Sequence, residues 1–101
     1  MSAYFIVRAQ VVDVSVKQDF DRWYEVHLQE ALEGFKARRA WRGWSAVDKN
    51  VHYAFYEFED LARAQAIQGT AALKELVADF DRSWGNKVTR TRDFVEIVQG
   101  V

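Results

Sequence analysis

Apolar and polar residues alternate along this chain with two different periods, and the switches between them mark the elements. Residues 4–12, "YFIVRAQVV", are β-branched and aromatic with no Gly or Pro, which predicts a strand; "DVSVK" supplies the turn after it. From 17 to 34 the period changes. At about 100° per residue, Phe20, Trp23, Tyr24, His27, Leu28, Ala31 and Leu32 fall on one arc, while Arg22, Glu25, Gln29 and Glu33 take the other, as in a helix with one buried face. Asp19 or Asp21 puts negative charge in its first turn, and Gly34 suits a left-handed terminating residue.

Residues 35–47, "FKARRAWRGWSAV", read as a long strand. The turn "DKN" leads to "VHYAFYEFE", and the two strands are expected to form a hairpin. Asp60 is placed to cap a helix from Leu61, Gly69-Thr70 to interrupt it, and "AALKELVADFDRSW" to resume it with Leu73, Leu76, Val77, Phe80 and Trp84 on one side. Gly85-Asn86 ends that helix, and residues 88–98 are strand-like.

The order β-α-β-β-α-β predicts an α+β, ferredoxin-like fold: a four-stranded antiparallel sheet with both helical segments on one face. One residue set on the third strand, Ala54, Tyr56 and Phe58, lacks a charge and is assigned to the helices. The other set, Tyr53, Phe55 and Glu57, then faces away. Large aromatics on both faces leave one face uncovered in a lone protomer. At about 1.5–3 kcal/mol for each large side chain buried, a homodimer joined through that sheet face is expected.

Composition narrows the picture. The 101 residues, 50% hydrophobic and 15% aromatic, suffice for one domain, residues 1–101, with one core. There is no cysteine, so a metal site would need His, Asp and Glu, and two histidines far apart in sequence predict neither a metal cage nor a cofactor. A net charge of −1 draws the chain to neither nucleic acid nor anionic lipid. No apolar run approaches membrane-spanning length, and "MSAYFIVRAQ" has no charged region followed by a long hydrophobic one, so a cytoplasmic protein is expected.

The segments "FDRWYEVHL", "GFKARRAW" and "YAFYEFED", in this element order, resemble the dimeric α+β barrel superfamily over nearly the whole chain, and within it the EthD-like and antibiotic-biosynthesis-monooxygenase-like small proteins. The resemblance implies two ferredoxin-like protomers joining their sheets into a barrel, with a ligand cleft between helices and sheet in each. Superfamily reactions include cofactor-free oxidation of aromatic polyketides, haem degradation and isomerisation. Ala54 stands in the region where the oxygenases carry an Asn, and the Asn, Trp and His set of the haem-degrading members is incomplete here.

In that setting His27 points into the layer where such clefts lie. Two readings are open: a core histidine satisfied by a neighbour, or an acid/base or orienting group for a ligand, with Tyr24 and Tyr56 as hydrogen-bonding partners. Trp23 and Trp84 are candidate walls, and Phe58, on the same side of its strand as Tyr56, a candidate ligand contact. Arg8 is an anion anchor if it faces the cleft, and a partner for Glu57 across the dimer if it faces the barrel; the first strand's pattern leaves both open. His52, after a turn, is expected to be exposed, and Arg90 and Arg92 to mark a charged edge or a dimer contact.

The expected function is therefore to bind or transform a small aromatic or carbonyl-containing molecule, as a cofactor-free monooxygenase or isomerase; the competing reading is a non-catalytic binding or structural dimer. "HYAFYEFED" also resembles the third-strand signature of RNA recognition motifs, with Tyr53 and Phe55 as base-stacking platforms. Position 52 is His where that motif has glycine, and the second helical region is longer than that motif's, so nucleic acid is the least favoured partner.

Overall fold

The computed structural model describes residues 1–101. Its elements are β1 (Ala3–Val11), α1 (Lys17–Phe35), β2 (Arg39–Trp44), β3 (Val51–Phe58), α2 (Leu61–Gln65), α3 (Ala71–Trp84) and β4 (Val88–Glu96). Four antiparallel strands run in the order β2-β3-β1-β4, the expected ferredoxin-like arrangement. No helix is long and apolar enough to cross a membrane.

The central strand β1 sets the two faces. Ala3, Phe5, Val7, Ala9 and Val11 are buried in strict alternation with half-buried Tyr4, Ile6, Arg8 and Gln10. Register carries this parity across the sheet: Phe5 lies opposite Tyr56 on one side and Phe94 on the other. The helices cover that face, with Phe20, Tyr24, His27, Ala31 and Phe35 of α1 and Phe80 and Trp84 of α3 buried. Burying such an arc against a sheet is what makes a 19-residue helix stable here, more than its residues' propensities.

Several boundaries depart from expectation. Residues 14–16 form a 3-10 turn capped by Asp13, whose carboxylate accepts from Ser15 N–H. Helix α1 runs one residue past Gly34, because Phe35 continues its apolar arc and packs edge-on against Phe5 and Tyr56, with ring centres 5.7 and 5.3 Å away. The left-handed residue is Lys36, φ 56°, and its N–H reaches back to the Glu33 and Leu32 carbonyls. Gly34 instead stays helical at a close α1–α3 approach, where a Cβ would lie 3.4 Å from that of Ala72. Strand β2 consequently starts at Arg39 and ends at Trp44, with Ser45 and Asp48 side chains closing the following turn.

Other punctuation matches expectation. Asp60 caps α2 by accepting from Arg63 N–H at 2.8 Å, the helical region breaks at Gly69-Thr70, and Gly85 ends α3 at φ 53°.

The face away from the helices carries a band of aromatics. Tyr53 stacks beside Phe55 with ring centres 6.1 Å apart, Phe55 beside Trp41 at 6.4 Å, and Trp41 is 40% exposed. Among them Glu57 is only 3% exposed: it accepts from Tyr4 and pairs with Arg38 and Arg39, which hold its carboxyl below the usual range.

Candidate ligand cleft

A narrow cleft of about 30 Å³ lies between the sheet and the helix layer. Its floor is Phe5, Val7 and Tyr56 of the sheet, its back Tyr24, His27, Ala31 and Phe35 of α1, and its roof Leu73, Leu76, Val77 and Phe80 of α3. Arg90 and Arg92 of β4 stand at one side. Three expected residues therefore share one cavity: Tyr24, His27 and Tyr56.

Burial tunes them all toward neutrality. His27 is 6% exposed and stacks on Trp23 with ring centres 4.2 Å apart and planes within 20°. Desolvation lowers its pKa to about 4, opposed in part by the Asp79 carboxylate and reinforced by Arg90. Burial raises the pKa of Tyr24 and raises that of Tyr56 further, the neighbouring Tyr24 adding to the second. At neutral pH the cleft therefore presents an uncharged imidazole and two phenols.

The positive charge comes from β4. Arg90 shares its strand parity with Val88 and Phe94, so it points into the helix layer; its side chain is 13% exposed, lies 4.1 Å over the Phe80 ring and pairs with Asp81 at 3.2 Å. Burial and neighbouring Arg92 lower its pKa. This corrects the reading of Arg90 as part of a charged edge, whereas Arg92 is exposed on the edge strand β4 as expected. The signal was present in the sequence: on a strand of period two, positions 88, 90, 92 and 94 must share a face, and two of the four are apolar.

Other expected contributors sit elsewhere. Arg8 lies on the sheet face away from the helices, opposite Tyr53 and Thr91, so it is no anchor for this cleft. Glu57, the partner expected for Arg8 across a dimer, is engaged by three side chains of its own chain. Phe58, 3% exposed, and Trp84, 9% exposed, belong to the core, and Trp23 backs His27 without lining the cavity.

His52 is the largest departure: expected at the surface, it is fully buried. Strand β3 lies inside the sheet, and His52 faces the helices opposite Ala9 and Trp44. Its Nε2 lies 3.2 Å from Arg42 Nη1, and because arginine can only donate, Nε2 accepts and the proton resides on Nδ1. Arg42 donates to the Asp21 carboxylate at 2.8 Å, and Trp44 Nε1–H donates to the same oxygen at 2.8 Å. These two bonds, Trp44's the larger influence, hold Asp21 below the usual carboxylate range. No cavity opens beside His52, and the cluster ties α1 to β2 and β3.

No family model and no curated protein matches the sequence. Solved structures do match the fold. A variant of SnoaB, described as a cofactor-independent oxygenase from Streptomyces nogalater, superposes at TM-score 0.73 with 11% identity, covering 99% of this chain and 96% of that one. An antibiotic biosynthesis monooxygenase superposes at 0.64 with 10% identity, covering 95% and 99%. A dimeric protein of unknown function and ferredoxin-like fold from Bacteroides fragilis superposes at 0.66 with 12% identity, covering 95% and 96%. The chain thus shares its ferredoxin-like fold with these proteins.

Proposed function

We propose that this protein works as a homodimer whose protomers each hold a small anionic aromatic or carbonyl-containing molecule in the cleft beneath α3. The observation that carries the reading is the convergence of Tyr24, His27, Tyr56 and Arg90 on one otherwise apolar cavity. Apolar walls with a few convergent polar groups are the usual composition of small-molecule sites. A buried guanidinium beside neutral hydrogen-bonding groups favours a carboxylate or enolate over a neutral ligand.

At about 30 Å³ the resting cleft holds little more than one water. A ligand therefore enters as α3 side chains move. Leu73, Leu76 and Val77 in the first part of α3 are only half-buried, whereas Phe80 and Trp84 anchor its second part. Gly69, φ 78°, sits just before the helix. The expected motion is a swing of the α3 N-terminal half about that junction.

His27 serves better to orient than to abstract. With its pKa near 4, taking a proton from a phenol or enol of pKa about 10 is uphill by about 8 kcal/mol. Arg90 favours a second reading, cofactor-independent oxygenation or isomerisation of an enolisable substrate, because its charge offsets part of that cost by stabilising the enolate. The SnoaB likeness supports the same reading.

The dimer joins the aromatic face of one sheet, Tyr4, Trp41, Tyr53 and Phe55, to the same face of a second copy. The dimeric Bacteroides fragilis relative supports it. Light scattering is expected to give twice the chain mass, and Phe55→Glu to give a monomer. A stable native monomer that binds single-stranded RNA would replace this reading with the stacking-platform one.

Tryptophan-fluorescence titration with hydroxynaphthoate tests the cleft. One ligand per chain is expected, about ten-fold weaker in Arg90→Gln, with neutral naphthol insensitive to that change. Failure to saturate, or equal affinity in the variant, overturns the cleft assignment, and oxygen uptake during the titration separates catalysis from binding.

A further inference from the structure

The helix layer has a second concavity. Glu30 and Glu33 of α1 and Glu75 and Asp79 of α3 line an open groove where these helices approach one another, and Leu76 lines both this groove and the cleft. At one point a ring nitrogen of His27 and one carboxylate oxygen each from Glu30 and Asp79 lie within 4.8 Å of one another. His27 and Glu30, three residues apart, share a side of α1, and Asp79 reaches them from α3.

The carboxylates alone would mean little. The imidazole adds a separate indication: 6% exposed, it has Nδ1 sealed from solvent with no hydrogen-bond partner. Buried polar atoms nearly always find partners.

We propose that this chain binds one divalent first-row transition cation, of the Zn²⁺ class, through His27, Glu30 and Asp79 between α1 and α3. One imidazole with two carboxylates suits such ions, whereas Mg²⁺ and Ca²⁺ prefer oxygen alone. Tetrahedral Zn²⁺ with bonds of about 2.0–2.1 Å sets its ligand atoms about 3.4 Å apart. From separations of up to 4.8 Å the three groups must close by little more than 1 Å, which the exposed Glu30 and half-exposed Asp79 side chains can supply.

Glu33 and Glu75 deepen the negative potential. The competing cation is Arg82, 3.5 Å from Asp79 Oδ1, in an exposed pair that yields easily. Imidazole bound through one nitrogen retains the other, so a metal and a cleft ligand are compatible, and neither proposal requires the other.

Zn²⁺ titration calorimetry and Co²⁺ absorption on tag-free protein test the site. One ion per chain is expected, with the affinity about ten-fold or more weaker in Glu30→Gln, abolished in His27→Gln and Asp79→Asn, and unchanged in His52→Gln. Glu30 is exposed, so its variant folds whatever becomes of the others. Equal affinity in Glu30→Gln and Asp79→Asn, no saturation by about 100 µM free Zn²⁺, or Mg²⁺ binding as tightly as Zn²⁺ would each overturn the proposal.

Discussion

The two histidines have nearly the same environment by the usual measures and opposite surroundings. Both are buried, both are held near pKa 4 chiefly by desolvation, and both leave Nδ1 without a partner. Yet His52 sits in a closed cluster, its Nε2 against Arg42 and its ring against Phe20, Tyr24 and Trp44, with ring centres 4.5–5.5 Å away. His27 borders a cavity and lies beside two carboxylates. Burial and a shifted pKa therefore do not identify a functional group. What separates the two is whether space and unpaired ligand atoms adjoin the ring.

The largest expected effect that probes this contrast is the acid limb of stability. A histidine buried neutral must take up a proton to match its unfolded form, so its stabilisation is complete above the unfolded pKa of about 6.5 and lost as pH falls toward 4. The charged groups facing His52 are Arg42 of β2, which lowers its pKa further, and Asp21 of α1, which raises it. The fall from 6.5 to about 4 corresponds to roughly 3 kcal/mol as an upper value. Asp21, held below the carboxylate range, loses its contribution only at pH below about 4 and leaves this window clear. Denaturant unfolding at steps between these limits is expected to show the slope, and His52→Leu to flatten it by the His52 share while His27 retains the rest. An unchanged slope in His52→Leu would mean that His52 is not held neutral.

Next in size, the same substitution is expected to act in opposite directions at the two sites. His52→Leu removes the acceptor for Arg42 and loosens the Asp21–Arg42–Trp44 bonds, a loss of about 2 kcal/mol at pH 7. Asp21→Asn, whose side chain is 44% exposed, leaves an acceptor for Trp44 but discharges the pair, a loss of about 1 kcal/mol, or a melting shift of several degrees. Smallest is His27→Leu: removing an unpartnered buried nitrogen leaves stability unchanged or raises it by up to about 1 kcal/mol. Equal losses in the two leucine variants, read from denaturant midpoints, would erase the distinction between them.

Much of the fold was legible because it rests on local periods. The α1 arc, the Asp60 cap, the break at Gly69-Thr70, the Gly85 stop and the parity of β1 and β3 follow from backbone geometry, which links neighbours along the chain. The end of α1 was misjudged because Gly34 fits a left-handed terminus, while burial of Phe35 on Phe5 and Tyr56 outweighed that preference. Of the candidate site, Tyr24, His27 and Tyr56 were found through periodicity, and Arg90 was legible by the same rule. Asp79 was not: its approach to His27 depends on how far α3 is offset along α1, which no residue of either helix reveals alone.

Sequence by itself determined which elements form, their order and which side of each is apolar, because helix and strand geometry tie a residue's direction to its immediate neighbours. Only the tertiary structure decided that one histidine closes a network and the other opens on a cleft and a groove. Groups brought together from distant positions depend on how elements pack and slide against one another, and that is settled by the shapes of the whole core.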